Sequence, residues 1–569
     1  MHSTNRRCNT LQAVVGLYLQ ACGTPEAVIK LVSHLGISIS SSSINDAITS
    51  LSAKAEEKMQ DAASKFTTAY AYDNLDVNLK HGTPTLENSH ESTIVHLTSA
   101  SMFPLNHGVT ANDLDCGDTL HEIFANPVPI RMEQLEDHFS TPNTPATNGH
   151  VLEGILAQAH VGDSHDPNII LPASSLPPTR NKVLLFFGDL LTVQHLRSLM
   201  LQRIDESRPF RRLQFIVCVP GLFHFKMACA DAIWRAFISP VNAKKGTNML
   251  LSFVKQLRKN DVKKLTSKPD FRPMHEVIQH SGIVHRLDLW RIAVKKYTDS
   301  KALTLEDWAT MEPSWEDVYA LSEKIAVKHI FPLEMDESRN GSSRDKINEN
   351  MRLFHQQCLL YEETIYAMDH GDIGRLEETF LPWIHFFAGC GKHKYAAEMT
   401  RYLENVHFRY PKPLSRAIRM NILVNPTGRP NHFRAVDWVI ELNNLYIKRI
   451  HGGQYSNRSV ERMIKESPLI ETYKDIRRQL EDMFCLGRTT THHSPTDMKS
   501  TFDRLAEYLI KEKTNEYIQG REAEHEVKDM MAEGLQKIAM GETNLAKNNE
   551  TEDLETVELE VEDDGTLDL

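Results

Sequence analysis

The sequence lacks most of the features that give an activity away. Only eight of its 569 residues are cysteine (Cys8, Cys22, Cys116, Cys218, Cys229, Cys358, Cys390 and Cys485), and no two form a Cys-x-x-Cys pair. That scatter argues against a disulfide framework and a structural zinc knuckle, and it suits a reducing compartment. No apolar run reaches the roughly 18–20 residues a membrane span needs, so no transmembrane helix is expected. The N-terminal MHSTNRRCNTLQAVVGLYLQACG has its apolar positions broken by polar ones, the pattern of an amphipathic helix rather than a signal peptide. There is no Gly-rich phosphate loop, no Gly-x-Ser-x-Gly and no kinase motif set. Positive charge is scarce overall: 64 Lys+Arg against 76 Asp+Glu give a net charge of -12, which argues against a protein that coats nucleic acid.

What remains is an ordinary globular composition, 41% hydrophobic and 25% charged, with length for roughly two to four domains. The charge is uneven. The last stretch, NNETEDLETVELEVEDDGTLDL, is strongly acidic, and residues 541–569 read as a disordered tail. Basic residues gather in KQLRKNDVKKLTSK, Lys255 to Lys268, which predicts a locally positive surface in the middle of the chain.

Residues 1–60 read as a helical segment. Two amphipathic stretches around LGIS fit either a helix-turn-helix or an ordinary helical hairpin. Residues 61–239 read as the first part of an α/β core. In KFTTAYAYDNLDVNLK, Phe66, Thr68, Tyr70 and Tyr72 take one face, and Asp73 falls on the small-residue face at the strand's end. STIVHLTSASMFPL predicts a second strand, and 106–180 a variable, partly disordered insertion with short helical pieces such as VLEGILAQAH. VLLFFGDLLT drives a third strand into Asp189, RLQFIVCVPGLFHF reads as a fourth, and KMACADAIWRAFIS as a helix. Residues 240–430 read as strand-free and helical, 431–455 as a strong helix, and 456–540 as a further helical segment.

Asp73 and Asp189 thus stand at strand ends, where open α/β sheets bind ligands. Neighbouring carboxylates repel unless a cation screens them, and hard divalent ions prefer oxygen. In the late helix Asp437, Glu441, Asn444 and Lys448 recur at spacings of four, three and four and share one face. Val436, Ile440, Ile447 and Ile450 form an adjoining apolar stripe that would dock it on the sheet. A solvated polar stripe fits the same spacing, and a plain helix cap fits Asp189. Asp76 alternates away from Asp73. Glu398 and Glu404 read as surface residues, His492 and His493 as poor zinc ligands, and Trp234, Trp308, Trp315 and Trp383 as core.

YDNLDVN, FGDLLT, PGLFHFKM and DWVIELNNLYIK together resemble a fungal transposon-derived domain of unknown function, over about residues 60–510. Their order is similar to the ribonuclease-H-like core of cut-and-paste transposases, in which two Asp and a Glu bind metal. The resemblance implies an α/β fold: a ribonuclease-H-like mixed sheet core interrupted by a large all-helical insertion, with helical N- and C-terminal segments. It implies Asp73, Asp189 and Glu441 as catalytic and metal-binding acids. His224, Asn444 and Lys448 become accessory residues, and Mg2+ or Mn2+ the cofactor. The Cys of a Cys-x-x-His pair is replaced by Gly221, and Leu190 stands where the motif has Gln. The implied activity is DDE-type cleavage and strand transfer of DNA in the nucleus, by a homo-oligomer. The alternative is a catalytically inactive, domesticated relative acting as a DNA- or protein-binding scaffold. Chains with this resemblance often carry further sequence ahead of the point where this one starts, which implies a separate DNA-binding region there.

Overall fold

A computed structural model of the chain describes residues 9–78, 94–125, 181–238, 249–267, 269–297, 304–330, 344–451, 459–485 and 497–540. Three helices lead: α1 (Thr10–Ala21), α2 (Glu26–His34) and α3 (Ser41–Ser64). A sheet follows from β1 (Thr68–Asn78), β2 (Ile94–Pro104), β3 (Leu184–Gly188) and β4 (Ile216–Pro220), with α4 (Gly117–Ala125), α5 (Leu190–Gln202) and α6 (Leu222–Phe237) between and after its strands. Its order is β2-β1-β3-β4. β1 runs antiparallel to β2 but parallel to β3, and β3 is parallel to β4.

The short apolar run at Val183 is explained by burial on both faces, as parallel strands require. Leu184 and Phe186 join Tyr70, Tyr72, Leu196 and Phe215 on the side covered by α5. Val183, Leu185 and Phe187 join Ala69 and Ala71 on the other side, whose core continues through Phe225 into the helical region. β1 therefore divides its faces as the alternation predicts. It does not stop at Asp73, however. Pairing with β2 extends it through Asn78, so Asp73 lies mid-strand, opposite Ser99.

The helical region contains α7 (Leu250–Leu257), α8 (Val262–Ser267), α9 (Phe271–Tyr297), α10 (Leu305–Thr310), α11 (Trp315–Ile325), α12 (Lys346–His370), α13 (Ile373–Gly389), α14 (His393–Glu404) and α15 (Lys412–Asn421). It is helical as expected, except that β5 (Leu423–Val424) forms a two-residue antiparallel ladder with β6 (Arg434–Ala435). That ladder leads directly into α16 (Val436–His451), the predicted strong helix. α17 (Val460–Glu466), α18 (Ile470–Met483), α19 (Lys499–Glu512) and α20 (Met530–Ala539) complete the described chain.

The two terminal helical segments meet. Leu17, Ile44 and Ile48 pack with Ile450, Ile470 and Tyr473. The buried Glu466 accepts from Gln20 Nε2 at 3.2 Å and from Tyr473 Oη at 3.2 Å. No described helix is long and apolar enough to cross a membrane. Within 106–180, residues 117–125 are helical; VLEGILAQAH, Lys268, His492, His493 and the 541–569 tail lie outside the described residues.

Candidate active site

Asp189 is the residue at which β3 gives way to α5. Its Oδ1 accepts the Thr192 N–H at 2.7 Å, so it does cap the helix. The same cap fixes the carboxyl group at the edge of the sheet. Gly188 just before it is held by backbone: its carbonyl accepts the Gly221 N–H at 2.7 Å, tying the ends of β3 and β4 together.

α16 delivers the third acid. Val436 and Ile440 enter the main core, while Ile447 and Ile450 join the terminal helices, so the helix is clamped along its apolar stripe. Its polar row is consequently buried where it meets the sheet. Asp437 and Asn444 are almost fully buried and Glu441 half-buried. Lys448 alone stays exposed, and it forms no ion pair with any of the three predicted acids.

The structure brings Asp73 and Glu441 together, with Asp189 near enough for its charge to act on Asp73. Asp73 and Glu441, 368 residues apart by numbering (441 − 73), share a hydrogen bond between their carboxyl groups. Burial disfavours charge on both; the Asp73 charge raises Glu441 further, whereas the bond from Glu441 lowers Asp73. Burial and then the Asp73 charge push Glu441 up to about 8, against an ordinary 4.5. Asp73 is raised as well, by burial first, with the nearby Asp189 charge adding and His224 opposing. Asn444 holds the pair in place. Its Nδ2 donates to Asp73 Oδ2 at 3.3 Å and to the Asn74 carbonyl at 3.4 Å, while its Oδ1 accepts from Ser99 on β2.

His224 reaches the same place by a different route from the one expected. The apolar run PGLFHF is helical rather than extended, because β4 ends at Pro220 and α6 starts at Leu222. His224 is thus in the first turn of α6, where the backbone N–H groups need acceptors. Asp437 supplies them from across the site. Its Oδ1 and Oδ2 accept the Phe223 N–H, both at 3.0 Å, and Oδ2 also accepts the His224 N–H at 3.1 Å. The His224 ring completes the set, with Nδ1 3.0 Å from Asp437 Oδ2 and Nε2 3.9 Å from Glu441 Oε1. Burial works against a charged ring. The bond to Asp437 and the charges of Asp437, Asp189 and Glu441 outweigh it, holding the imidazole up at about 9.

This explains Gly221. A Cβ there would stand 2.3 Å from Asp437 Oδ2, so the carboxylate occupies the space a cysteine side chain would need. Asp437 was legible as a member of the polar row but not as the partner of His224.

The donor types suit a hard cation, since Asp73, Glu441 and Asp189 offer only oxygens. Among the described residues, however, no three His, Cys, Asp or Glu side chains are gathered closely enough to form a ready-made metal cage.

Other predictions need revision. Glu398 is buried rather than superficial: it receives both Arg197 guanidinium nitrogens, one at 2.7 Å, beneath β4. Glu404 is half-buried and faces Arg409 at 3.8 Å. Trp234 and Trp383 are core residues, but Trp315 is 74% exposed and Trp308 packs on Trp290 in a small separate cluster. Asp76 is exposed and paired with His96 at 2.7 Å, away from the three acids as its alternation predicts.

No curated protein and no solved structure matches the chain. One family does, over residues 140–493, a span that includes Asp189, His224, Asp437 and Glu441 but leaves Asp73 outside. The chain belongs to this family, the family of unknown function DUF6589.

Proposed function

We propose that the protein is a transposase- or nuclease-like enzyme of the DDE type, acting on DNA phosphodiesters, with Asp73, Asp189 and Glu441 as its acids. The observation that carries this reading is the carboxyl–carboxyl contact of Asp73 with Glu441 beside Asp189, since buried like-charged groups are kept together only at a cost. The mixed sheet with one antiparallel edge strand, the helical region set between β4 and α16, and the packing of α16 against β1 agree with the ribonuclease-H-like arrangement.

Asp73 and Glu441 would hold a magnesium or manganese ion, with Asp189 as the third carboxylate. The bound ion would supply charge neutralisation and a polarised phosphodiester oxygen. Glu441, raised by burial and by the Asp73 charge, would have to be ionised for this. His224 would donate from Nε2 to a non-bridging phosphate oxygen, held in that orientation by Asp437 on Nδ1. Asn444 keeps the Asp73 carboxyl turned toward Glu441.

A route for the polyanion lies alongside. The Phe223 ring, next to His224, meets Phe271 edge-on at 5.7 Å, so α9 begins beside the site and α8 precedes it. Lys255, Lys259, Lys263, Lys264 and Arg272 are exposed along this stretch. Such a strip would bind the phosphate backbone despite the negative total.

The test is a manganese-dependent nicking and strand-transfer assay on wild type, Asp189→Asn and Asp73→Asn. Weak wild-type activity lost in both variants supports the enzyme. Folded but equally inactive proteins would favour the second reading, an inactive scaffold, which the engagement of Asp189 as a helix cap also suits.

A further inference from the structure

The helical region holds a cavity of about 680 Å³ where the link from α7 to α8 faces α9 and the start of α19. Leu257 and Met498 give it apolar surface. Its charges are unequal. Arg258 donates to Asp261 at 3.1 Å and to Glu276, which also accepts from Arg272 at 3.1 Å, so both acids of the wall are engaged. Lys259 and Arg504 line the cavity too, both exposed, and neither forms an ion pair among the described residues. Apolar surface beside two unmatched cations fits a ligand that is aliphatic and anionic together.

The chain itself carries such a segment. Residues 541–569, which lie outside the described residues, hold eleven acids against one lysine, a charge of -10 out of the chain's -12. Within them Val557, Leu559 and Val561 alternate with Glu558, Glu560 and Glu562. An extended backbone places three aliphatic side chains along one edge of this stretch and three carboxylates along the other.

The segment is also tethered within reach. α20 is fixed to α13 so closely that a Cβ on Gly534 would collide with the His385 carbonyl oxygen, and Lys537 Nζ donates to the Gly389 carbonyl at 3.3 Å. The 16 residues from 541 to 556 span up to roughly 55 Å when extended. That exceeds the length of α9, about 40 Å for its 27 residues.

We propose that residues 557–562 dock in this cavity, Leu559 against Leu257 and Met498, with the flanking glutamates on Lys259 and Arg504. Charge complementarity selects this occupant, and the aliphatic edge separates it from other anions. A nucleic acid would satisfy the cations but bring no aliphatic side chain to Leu257 and Met498. Tethering gives the segment a local concentration on the order of millimolar, so a contact that is weak between separate molecules is populated within one chain. Lys259 belongs also to the strip offered to DNA, so docked tail and DNA exclude each other there. The docking itself does not depend on the chain binding DNA.

Zero-length carbodiimide cross-linking of the full chain at low salt, without DNA, reads the contact directly. Glu558, Glu560 and Glu562 should join Lys259 ahead of any other lysine, in the monomeric fraction. Leu559→Asp keeps the acidity of the tail but removes its aliphatic anchor, and Arg504→Glu reverses an exposed cation while leaving Lys259 in place. Each should cut the Lys259 product at least about fivefold, with an unchanged circular dichroism spectrum. Products spread evenly over the surface lysines, a Lys259 product that Leu559→Asp leaves unchanged, or one found only in oligomers would overturn the proposal.

Discussion

Asp437 caps the first turn of α6 from 213 residues away in sequence (437 − 224) while gripping the His224 ring, so one carboxylate serves two neighbouring backbone N–H groups and an imidazolium. Because it is buried, removing it leaves both a helix end and a charged ring without their partner. Asp437→Ala should destabilise the protein by about 3 kcal/mol, at the lower end for a broken buried pair. Asp437→Asn, which keeps one acceptor oxygen, should cost less. Gly221→Ala should cost about 1–3 kcal/mol as an overpacking change, since its methyl meets the Asp437 carboxylate. Urea denaturation of the three variants checks this; a Gly221→Ala protein as stable as wild type would remove the Asp437 contact from the account.

The pH dependence has a definite direction. Glu441 is raised from 4.5 to about 8 and His224 from 6.5 to about 9, so both bind protons in the folded state that the unfolded chain releases. Stability contributed by these groups is fully present below their unfolded values and is lost as pH rises through the folded ones. Buried histidines with lowered values, His275, His285 and His355 among them, oppose this below about pH 7, so the melting temperature should fall from about pH 7 to pH 9. Glu441→Gln should flatten the part below pH 8, because an amide cannot lose that proton. A melting temperature that climbs over this range would show that Glu441 is charged in the fold.

Glu398 makes a stability claim with no bearing on catalysis. It is 2% exposed and bonded to both Arg197 nitrogens, with Arg401 at 3.6 Å. Glu398→Ala strands a half-buried guanidinium and should cost about 3 kcal/mol, the lower end for a broken buried pair. Exchanging the pair together, Arg197→Met with Glu398→Leu, should recover much of that loss. Thermal unfolding of the single and double variants separates this from a superficial glutamate, whose loss would change little.

Lysine substitutions test the polyanion route. Lys259→Glu with Lys263→Glu should weaken DNA binding and reduce its salt dependence, because two fewer phosphates are neutralised. Fluorescence anisotropy at several salt concentrations reads both effects. An unchanged salt slope would place the DNA elsewhere, or nowhere.

Much of the site was legible because its signals are local. Alternation around Ala69, Ala71 and Asp73 set the inward face of β1, and the 3.6 period aligned Glu441 with Asn444. Burial on both sides marked VLLFF. Other features depend on partners distant in sequence. β1 continues past Asp73 only because β2 pairs with it, and residues 74–78 alone do not announce a strand. The PGLFHF run is apolar in either conformation, and periodicity over so few residues does not separate a helix turn from a strand. The pairings of Asp437 with His224 and of Glu398 with Arg197 leave no trace in the neighbouring sequence. A charged residue on a helix read by itself is most simply a surface residue, which is how Glu398 was misplaced.

The most direct measurement is a calorimetric titration of the full chain with Mn2+ at pH 7, in buffers of different ionisation enthalpy. Burial and the Asp73 charge raise Glu441 to about 8, so binding of a cation there should release protons and tighten as pH rises toward 8. Asp73→Asn and Glu441→Gln should each weaken binding by at least about tenfold, and Glu441→Gln should abolish the proton release. Magnesium should compete for the same site. Manganese that binds without proton release, binds equally well to both variants, or does not bind at millimolar concentration would contradict a cation site at Asp73, Asp189 and Glu441.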